Sequence, residues 1–455
     1  MAQRRPIRHD GVLSADLCII GAGSGGLTVA AGAAQMGASV ILIEAGEMGG
    51  DCLNTGCVPS KALLAAAKRR LAFPQAMAQV RAAIATITPH DSEARFTSLG
   101  CTVIRAHARF TSPEEVMAGG ERIRARRFIL ATGSRATVPP VPGLDAVPFL
   151  THETLFQLAE QPAHLAILGG GPIGCEMAQA FARLGSRVTL IEGDRLLARE
   201  DAEAVEVVRA ALAADGVTLI EGAEVTAIHP GPVLQTSAGR VAATHLLIAT
   251  GRRPVLEGLG LEEAGIETTP RGIALTDGLA TTNHRVLAVG DVAGLGQFTH
   301  LAGFQGGSAI RRALFGLGAP ALPAALPRVT YTEPELAQIG PTEAEAPGAT
   351  VQKVALTQND RAIAEGQTAG FAKLIIGRRG RILGATIVAP HAGEQAGLWV
   401  LAISQRLPVT KVAGLVLPYP TLAEAGKRAA GQHLAPRQFG PLMRRLVGLT
   451  QRFLP

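Results

Sequence analysis

The stretch Leu17-Cys18-Ile19-Ile20-Gly21-Ala22-Gly23-Ser24-Gly25-Gly26 returns 148 positions later as Leu165-Ala166-Ile167-Leu168-Gly169-Gly170-Gly171-Pro172-Ile173-Gly174. The offset of 148 also relates Gly37 to Gly185 and Glu44 to Glu192. Each copy reads as an apolar strand, a glycine turn, an Ala-rich helix and a second strand that ends in an acid. In both copies 18 residues separate the last motif glycine (Gly26, Gly174) from the acid (Glu44, Glu192). The pattern is that of a βαβ dinucleotide-binding unit, present twice. The first glycine (Gly21, Gly169) makes the tight turn. The second (Gly23, Gly171) lets a pyrophosphate approach the backbone, and the third (Gly26, Gly174) lets helix and strand pack closely. Phosphates then meet the free N–H groups at the helix N-terminus, and the terminal Glu accepts hydrogen bonds from ribose hydroxyls.

The rest of the sequence is consistent with this reading. A chain of 455 residues exceeds one hydrophobic core, and about two to four domains are expected. Apolar residues make up 47%, which predicts packed globular units rather than disorder. No apolar run reaches the roughly 18 residues that cross a bilayer. Leu17 to Ile20 is too short for a signal peptide and reads as the first strand, so a cytoplasmic protein is expected. The formal charge is +6. The basic residues are scattered, with no aromatic-interleaved patch, which favours small anionic ligands over nucleic acid.

Two more apolar strands, Phe128-Ile129-Leu130 and Leu246-Leu247-Ile248, each lead into Ala-Thr-Gly, ending at Gly133 and Gly251. A third, Val286-Leu287-Ala288-Val289, ends in Gly290-Asp291. An acid at a strand's carboxyl end lies in the crevice where open α/β sheets bind ligands. After about residue 325 prolines punctuate the chain. Apolar and polar residues then alternate near Phe371–Ile376 and Ile382–Val388, which predicts an antiparallel sheet with helices. In the tail, Leu442, Leu446, Leu449 and Phe453 share one helical face and Arg444, Arg445 and Arg452 the other. This basic amphipathic helix is expected to pack on its own protein, with peripheral membrane contact as the alternative.

Five cysteines are too few and too unevenly spaced for a secreted disulfide scaffold. Cys18 and Cys175 read as packing residues. Only Cys52 and Cys57 form a close pair, in Gly49-Gly50-Asp51-Cys52-Leu53-Asn54-Thr55-Gly56-Cys57-Val58-Pro59-Ser60-Lys61. Pro59 marks the first turn of a helix, and a cysteine there has its thiolate stabilised by the helix dipole and free N–H groups. A dithiol accepts or gives two electrons. A metal clip would need about four ligands, and no second Cys or His pair completes one.

The cysteine segment, both glycine motifs, both Ala-Thr-Gly strand ends and Gly290-Asp291 together resemble the class I pyridine nucleotide–disulfide oxidoreductases. Tyr331-Thr332-Glu333-Pro334-Glu335, Asn359-Asp360-Arg361-Ala362 and Ala392-Gly393-Glu394 resemble that family's dimerisation domain. The resemblance spans about residues 14 to 432. It implies an α/β fold with two Rossmann-like dinucleotide-binding domains plus a C-terminal α+β dimerisation domain. The expected divisions are an FAD-binding part over 1–150, an NAD(P)-binding domain over 151–270, a second FAD-binding part over 271–325, a dimerisation domain over 326–436 and the tail over 437–455. It further implies FAD on Gly21 to Gly26 and Glu44, with Lys61, Thr132, Gly133 and Ser134 along it and Ala108 at the adenine. Asp291 would bind the ribityl chain, with Gln297 to His300 nearby. The nicotinamide dinucleotide would lie on Gly169 to Gly174, Glu192 and Gly251. Cys57 would face the flavin, Cys52 would attack the substrate, and Glu176 would pair with Lys61. Glu192 favours NADH over NADPH, because a carboxylate repels a 2′-phosphate. A homodimer with shared active sites is expected.

One departure bears on the substrate. The family's disulfide reductases carry His-Pro-Thr…Glu near the C-terminus, and here the segment is Pro418-Tyr419-Pro420-Thr421-Leu422-Ala423-Glu424. Tyr419 stands in the histidine's place. A phenol titrates near about pH 10, so at pH 7 it donates hydrogen bonds better than it accepts protons. Mercuric reductases also carry tyrosine there, together with adjacent C-terminal cysteines, and this chain has no cysteine after Cys175. Three readings follow: an NADH-dependent reductase of a small disulfide, a metal-ion reductase, and a flavoprotein serving chiefly a regulatory or membrane partner.

Overall fold

A computed structural model describes residues 4–318 and 320–454. The elements that shape the site are, in chain order, β1 (Val12–Ile20), α1 (Ser24–Gln35), β2 (Val40–Glu44), α2 (Gly50–Asn54), α3 (Cys57–Lys68), β3 (Glu121–Leu130), β4 (Ser134–Ala136) and β5 (His164–Leu168). They continue with α4 (Pro172–Arg183), β6 (Arg187–Ile191), β7 (His245–Ile248), β8 (Arg252–Pro254), β9 (Val286–Ala288) and α5 (Thr299–Phe315). The last are β10 (Phe371–Ile376), β11 (Ile382–Ala389), α6 (Glu424–Gln438) and α7 (Pro441–Thr450). The chain forms two compact units. The first gathers residues up to Gly169, Arg183–Arg187 and Glu224–Pro323; the second gathers Gly170–Ala182, Val188–Ala223 and the chain from Ala324.

In the first unit β1 is a central strand. It runs parallel to β2 on one side and β3 on the other, with Cys18 level with Ile41 and Phe128, and β9 extends the sheet parallel to β3. Leu17, Cys18, Ile19 and Ile20 are all buried, because a parallel strand covered on both faces is apolar throughout rather than alternating. Cys18 and Ile20 pack with Phe110 and Phe128 on one face. Leu17 and Ile19 pack with Val29, Ala30 and Ala33 of α1 on the other. The strand is longer than Leu17–Ile20 suggests: it starts at Val12, and Ile7–His9 folds back on it as an antiparallel hairpin. In the same unit β5 runs parallel to β7. In the second unit Thr189–Ile191 of β6 runs parallel to Thr218–Ile220.

The second unit also holds the expected antiparallel sheet, with five strands in the order 327–330, 335–339, 382–389, 371–376, 350–355. The alternation expected for its strands is not found. Every residue of β10 is buried, as is β11 apart from Leu383. Helices Ala392–Ser404 and α6 cover one face of the sheet, and Ala202–Ala214 packs on the other. Lys373 therefore lies inside the protein. Its Nζ donates to Asp201 at 2.9 and 3.1 Å and to Glu343 at 2.9 Å, and it pairs with Glu203 at 2.7 Å. Burial alone would lower its pKa, but these carboxylates raise it above the ordinary lysine value. A buried cation held this way is costly to lose from its cluster.

The amphipathic tail helix forms as α7, but the expectation that its apolar face packs on the chain is not met. Leu442 is 82% and Phe453 81% exposed. No helix among the described residues is long and apolar enough to cross a membrane.

Lys373→Met should destabilise the second unit by about 3 kcal/mol, since one partner of a buried ionic cluster is removed and the carboxylates stay. Urea unfolding followed by circular dichroism would register this as an earlier transition; an unchanged midpoint would show that the cluster contributes nothing.

Candidate active site

The first glycine turn shows which of its glycines the protein itself requires. A Cβ on Gly21, whose φ is 106°, would lie 2.3 Å from Ala131 O, and one on Gly26 would lie 1.9 Å from Gly21 O. A Cβ on Gly23 would meet nothing nearer than Gly50 Cα at 3.9 Å. The second copy repeats the contrast: Gly169 would meet Ala249 O at 2.5 Å, and Gly171 has open space. The middle glycines thus leave open space at the N-termini of α1 and α4. Gly23 caps α1 with no side-chain hydrogen bond. The structure fits a bound dinucleotide phosphate at both turns. The acids are anchored alike: Glu44 accepts from Ala22 N at 2.5 Å and Gly46 N at 2.6 Å, and Glu192 from Gly170 N at 2.6 Å and Asp194 N at 3.0 Å.

The cysteine pair sits where β2 and the first turn deliver it. Cys52 lies in α2, and α3 begins at Cys57 itself, with Pro59 in its first turn. Both are free thiols. Cys57 Sγ lies 3.2 Å from Thr299 Oγ1 at the start of α5, so two helix N-termini meet at this sulfur. The side chains of Cys57, Thr299 and Ser24 act on the Cys52 thiol. That thiol is pushed above the ordinary cysteine range, first by the hydrogen bond with Cys57 and then by burial. Burial likewise pushes Cys101 up to about 11, and raises Cys18 and Cys175, which are packing residues. Thr55 Oγ1, inside the cysteine loop, is buried with no hydrogen-bond partner among the described residues. An orphan of this kind belongs to a site completed by another group.

The two Ala-Thr-Gly ends also cooperate. The chain after Gly133 forms β4 and the chain after Gly251 forms β8, and these pair antiparallel, with Ala136 level with Arg252. Thr132 Oγ1 donates to Val255 O at 2.9 Å, and Val255 N donates to Gly133 O at 3.1 Å. Arg252 donates from Nε to Ser134 Oγ at 2.8 Å and from Nη2 to Ser134 O at 3.0 Å, and it bonds Asp51 and contacts His152 Nε2. Ser134 Oγ donates to Asp291, and Gln297 Nε2 donates to Arg252 O at 3.0 Å. Burial alone would raise the Asp51 carboxyl, but the His152 and Arg252 contacts hold it below the ordinary value. Asp291 is raised, because burial outweighs its contacts with Ser134 and Arg252. Ser134 and Asp291, singled out from sequence, are thus in contact, and Thr299 falls within the Gln297 to His300 stretch expected near the flavin, while Asp51, His152 and Arg252 were given no role from sequence. A buried guanidinium needs several acceptors, but nothing in the sequence says which residues supply them.

The other expected residues have these places. Ala108 is buried in strand Ala108–Ser112. Lys61 Nζ lies 3.4 Å from Ser60 Oγ. His300 stacks on Phe298 at 5.2 Å between centroids. Gly251 accepts from Thr137 N at 2.9 Å, and Gly174 and Glu176 are buried in α4. Glu176 Oε1 accepts from Tyr331 N at 3.0 Å. In the C-terminal motif Tyr419 Oη donates to Asp360 Oδ2 at 2.9 Å, and Glu424 accepts from Thr421 N at 3.2 Å. Asp360, not Glu424, is the hydrogen-bond partner of the phenol, and this contact raises the tyrosine above its ordinary pKa.

Arg252→Met should cost about 1–3 kcal/mol at neutral pH, because it strips charged hydrogen bonds from partly buried acceptors. The depressed carboxyl of Asp51 contributes stability that is present above the unfolded-state pKa and is lost as pH falls through the folded one. The gap between wild type and variant should therefore narrow below about pH 4. Denaturant midpoints measured across pH would check this; a gap that widens in acid would contradict it.

Comparison with known proteins agrees with this geometry. Residues 15–306 match the pyridine nucleotide-disulphide oxidoreductase family, and residues 326–430 match the pyridine nucleotide-disulphide oxidoreductase dimerisation domain. The chain is similar to a mercuric reductase of Streptomyces lividans, 37% identical over 91% of this chain and 95% of that protein. A mercuric reductase of Bacillus cereus is 34% identical over 93% of this chain and 72% of that protein. Among solved structures, the Cu(II) complex of the HOCl-induced flavoprotein disulfide reductase RclA from Escherichia coli aligns with a TM-score of 0.85 at 30% identity, covering 90% of this chain and 98% of that one. LpdA from Mycobacterium tuberculosis aligns with a TM-score of 0.84 at 26% identity, covering 92% and 99%. Two dinucleotide turns, a facing thiol pair and a dimerisation sheet follow one another along a single chain, and this protein belongs to the pyridine nucleotide-disulphide oxidoreductase family of FAD-dependent, NAD(P)H-linked enzymes.

Proposed function

We propose that the enzyme passes electrons from NADH, through FAD, to the Cys52–Cys57 pair and on to a small disulfide. The observation that carries this is the pair of free thiols in the adjoining helices α2 and α3, with Cys57 Sγ 3.2 Å from Thr299 Oγ1 at the N-terminus of α5. Gly21, Gly23, Gly26 and Glu44, with Lys61, Ala108, Thr132, Gly133, Ser134, Asp291 and His300, would hold FAD. Gly169, Gly171, Gly174, Glu192 and Gly251 would hold the nicotinamide dinucleotide, and Glu176 would pair with Lys61. Bound FAD supplies the two-electron link between nicotinamide and thiols. The Cys52 thiolate attacks one sulfur of the substrate disulfide and releases the first thiol. Cys57 then attacks the Cys52 sulfur of the mixed disulfide, releasing the second thiol and closing the Cys52–Cys57 bond. The two departing sulfurs take up two protons. Tyr419, held by Asp360, would stand with Glu424 at the partner subunit's thiols and donate a hydrogen bond rather than act as a base. The NADH supply suits a cytoplasmic enzyme.

A second reading is favoured by the names of the relatives and by Tyr419: reduction of a thiophilic metal ion. Soft thiolates suit such a substrate, and no cluster of three or more His, Cys, Asp or Glu able to hold a metal occurs among the described residues, so the thiol pair itself would have to take the ion.

NADH oxidation should be measured with lipoamide, oxidised glutathione, Hg(II) and Cu(II), using wild type, Cys57→Ser and Tyr419→His. Turnover with a disulfide that Cys57→Ser abolishes and Tyr419→His raises by about tenfold is the expected result. Turnover with the metal ions alone would replace the first reading by the second.

NADH should be used in preference to NADPH, and Glu192→Ala should narrow the preference by about tenfold by removing the repulsion of the 2′-phosphate. The ratio of kcat/KM values for the two nucleotides measures this; a wild type that prefers NADPH would refute it.

A further inference from the structure

The whole net charge of the chain resides in its last segment. Lys427, Arg428, Arg437, Arg444, Arg445 and Arg452 occur within residues 425–455, which contain no Asp or Glu. Without these six, the remaining residues hold 37 basic and 37 acidic side chains against totals of 43 and 37. The formal +6 is therefore not a diffuse excess spread over the surface, as its scatter along the sequence suggests, but a local one. Among the described residues, the same segment carries the longest series of exposed large apolar side chains. Helix α7 has no buried residue, and Leu442, Leu446, Leu449 and Phe453 stand out along one face, each at least half exposed. At 100° per residue these four fall within about 60° of one another, and Arg444, Arg445 and Arg452 lie outside that arc.

We propose that residues 437–454 form a docking surface for an anionic lipid bilayer, with α7 lying in the plane of the interface. The apolar face needs a partner that removes Leu and Phe side chains from water, and the arginines need anions beside it. A headgroup layer over acyl chains supplies both in that arrangement. A second copy of the same face does not: paired about a two-fold axis, it would bring three arginines against three arginines with no acid between them. A polynucleotide would neutralise the arginines but leave the leucines and Phe453 in water. The contact would hold a redox enzyme at a membrane face through an interfacial helix, and α7 contains none of the residues assigned to the site.

The test is sedimentation of the FAD-loaded enzyme with vesicles of phosphatidylcholine alone and of phosphatidylcholine mixed with phosphatidylglycerol. Binding to the mixed vesicles should exceed binding to phosphatidylcholine by about tenfold or more and should fall with added salt. Leu446→Glu combined with Phe453→Glu should cut it by about tenfold or more, with NADH turnover and dimer mass unchanged. Arg444→Gln with Arg445→Gln should weaken binding and flatten its salt dependence. The proposal is overturned if wild type does not bind the mixed vesicles, or if the Leu446/Phe453 variant binds them as well as wild type. It is equally overturned if that variant dissociates to monomers, which would assign the face to a second copy, or if wild type binds duplex DNA more tightly than the mixed vesicles.

Discussion

The guanidinium of Arg252 ties together segments that are far apart in the chain. It bonds Asp51, the residue before Cys52, and both the side chain and the carbonyl of Ser134, while Ser134 in turn holds Asp291. A planar cation with five donors satisfies several acceptors only if each is already at the right angle. The α2 segment, the turn after the first Ala-Thr-Gly and the carboxyl end of β9 are thereby fixed to one point. The result is a site with opposed electrostatics: the contacts with Arg252 and His152 outweigh burial and lower the Asp51 carboxyl, while burial raises that of Asp291.

That arrangement rests on close backbone contacts beneath it. Gly21 and Gly26 leave no room for a side chain because Ala131 and Gly21 itself crowd them, whereas Gly23 is open. The turn is thus made tight by the protein and left open at Gly23, where a dinucleotide phosphate would approach. The thiols lie at the next bend. Thr299 at the start of α5 lies 3.2 Å from Cys57 Sγ, and Thr299 and Ser24, at the start of α1, both favour the charged form of Cys52, so the residues that begin two helices also bear on the sulfur chemistry. Helix N-termini favour thiolate, while thiol–thiol contact and burial oppose it at Cys52, which separates the two sulfurs in character although only four residues lie between them.

In the second unit a different polar device works in the interior. Lys373 stands in a strand buried on both faces and is neutralised by Asp201, Glu203 and Glu343 from two other segments. Such clusters add little net stability over an apolar core but are costly to break, and they specify which elements pack together. The exposed phenol of Tyr419 is handled more lightly, by one hydrogen bond to Asp360 from the neighbouring 359–361 segment.

What could be read in the sequence was what depends on local order. The repeat at 148 residues, the glycine spacings and the acid 18 residues on are constraints within one βαβ unit, and the structure repeats them at Gly21 and Gly169 with the same steric contrast. The cysteine pair was legible because four residues of spacing and a following Pro59 are local signals. The dimerisation sheet was legible as antiparallel, but its alternation was misread, since coverage of both faces of β10 depends on helices remote in sequence. The partners of Arg252, the acids around Lys373, the Asp360 bond and the exposure of α7 were not legible. Each depends on which distant segments come within about 3 Å of one another or fail to. The sequence by itself determined the two nucleotide turns and the thiol pair, because these are set by backbone sterics over fewer than about thirty residues. Only the tertiary structure decided which charges are neutralised and which apolar face is left uncovered, because burial and ion pairing are properties of the space between segments and not of any one of them.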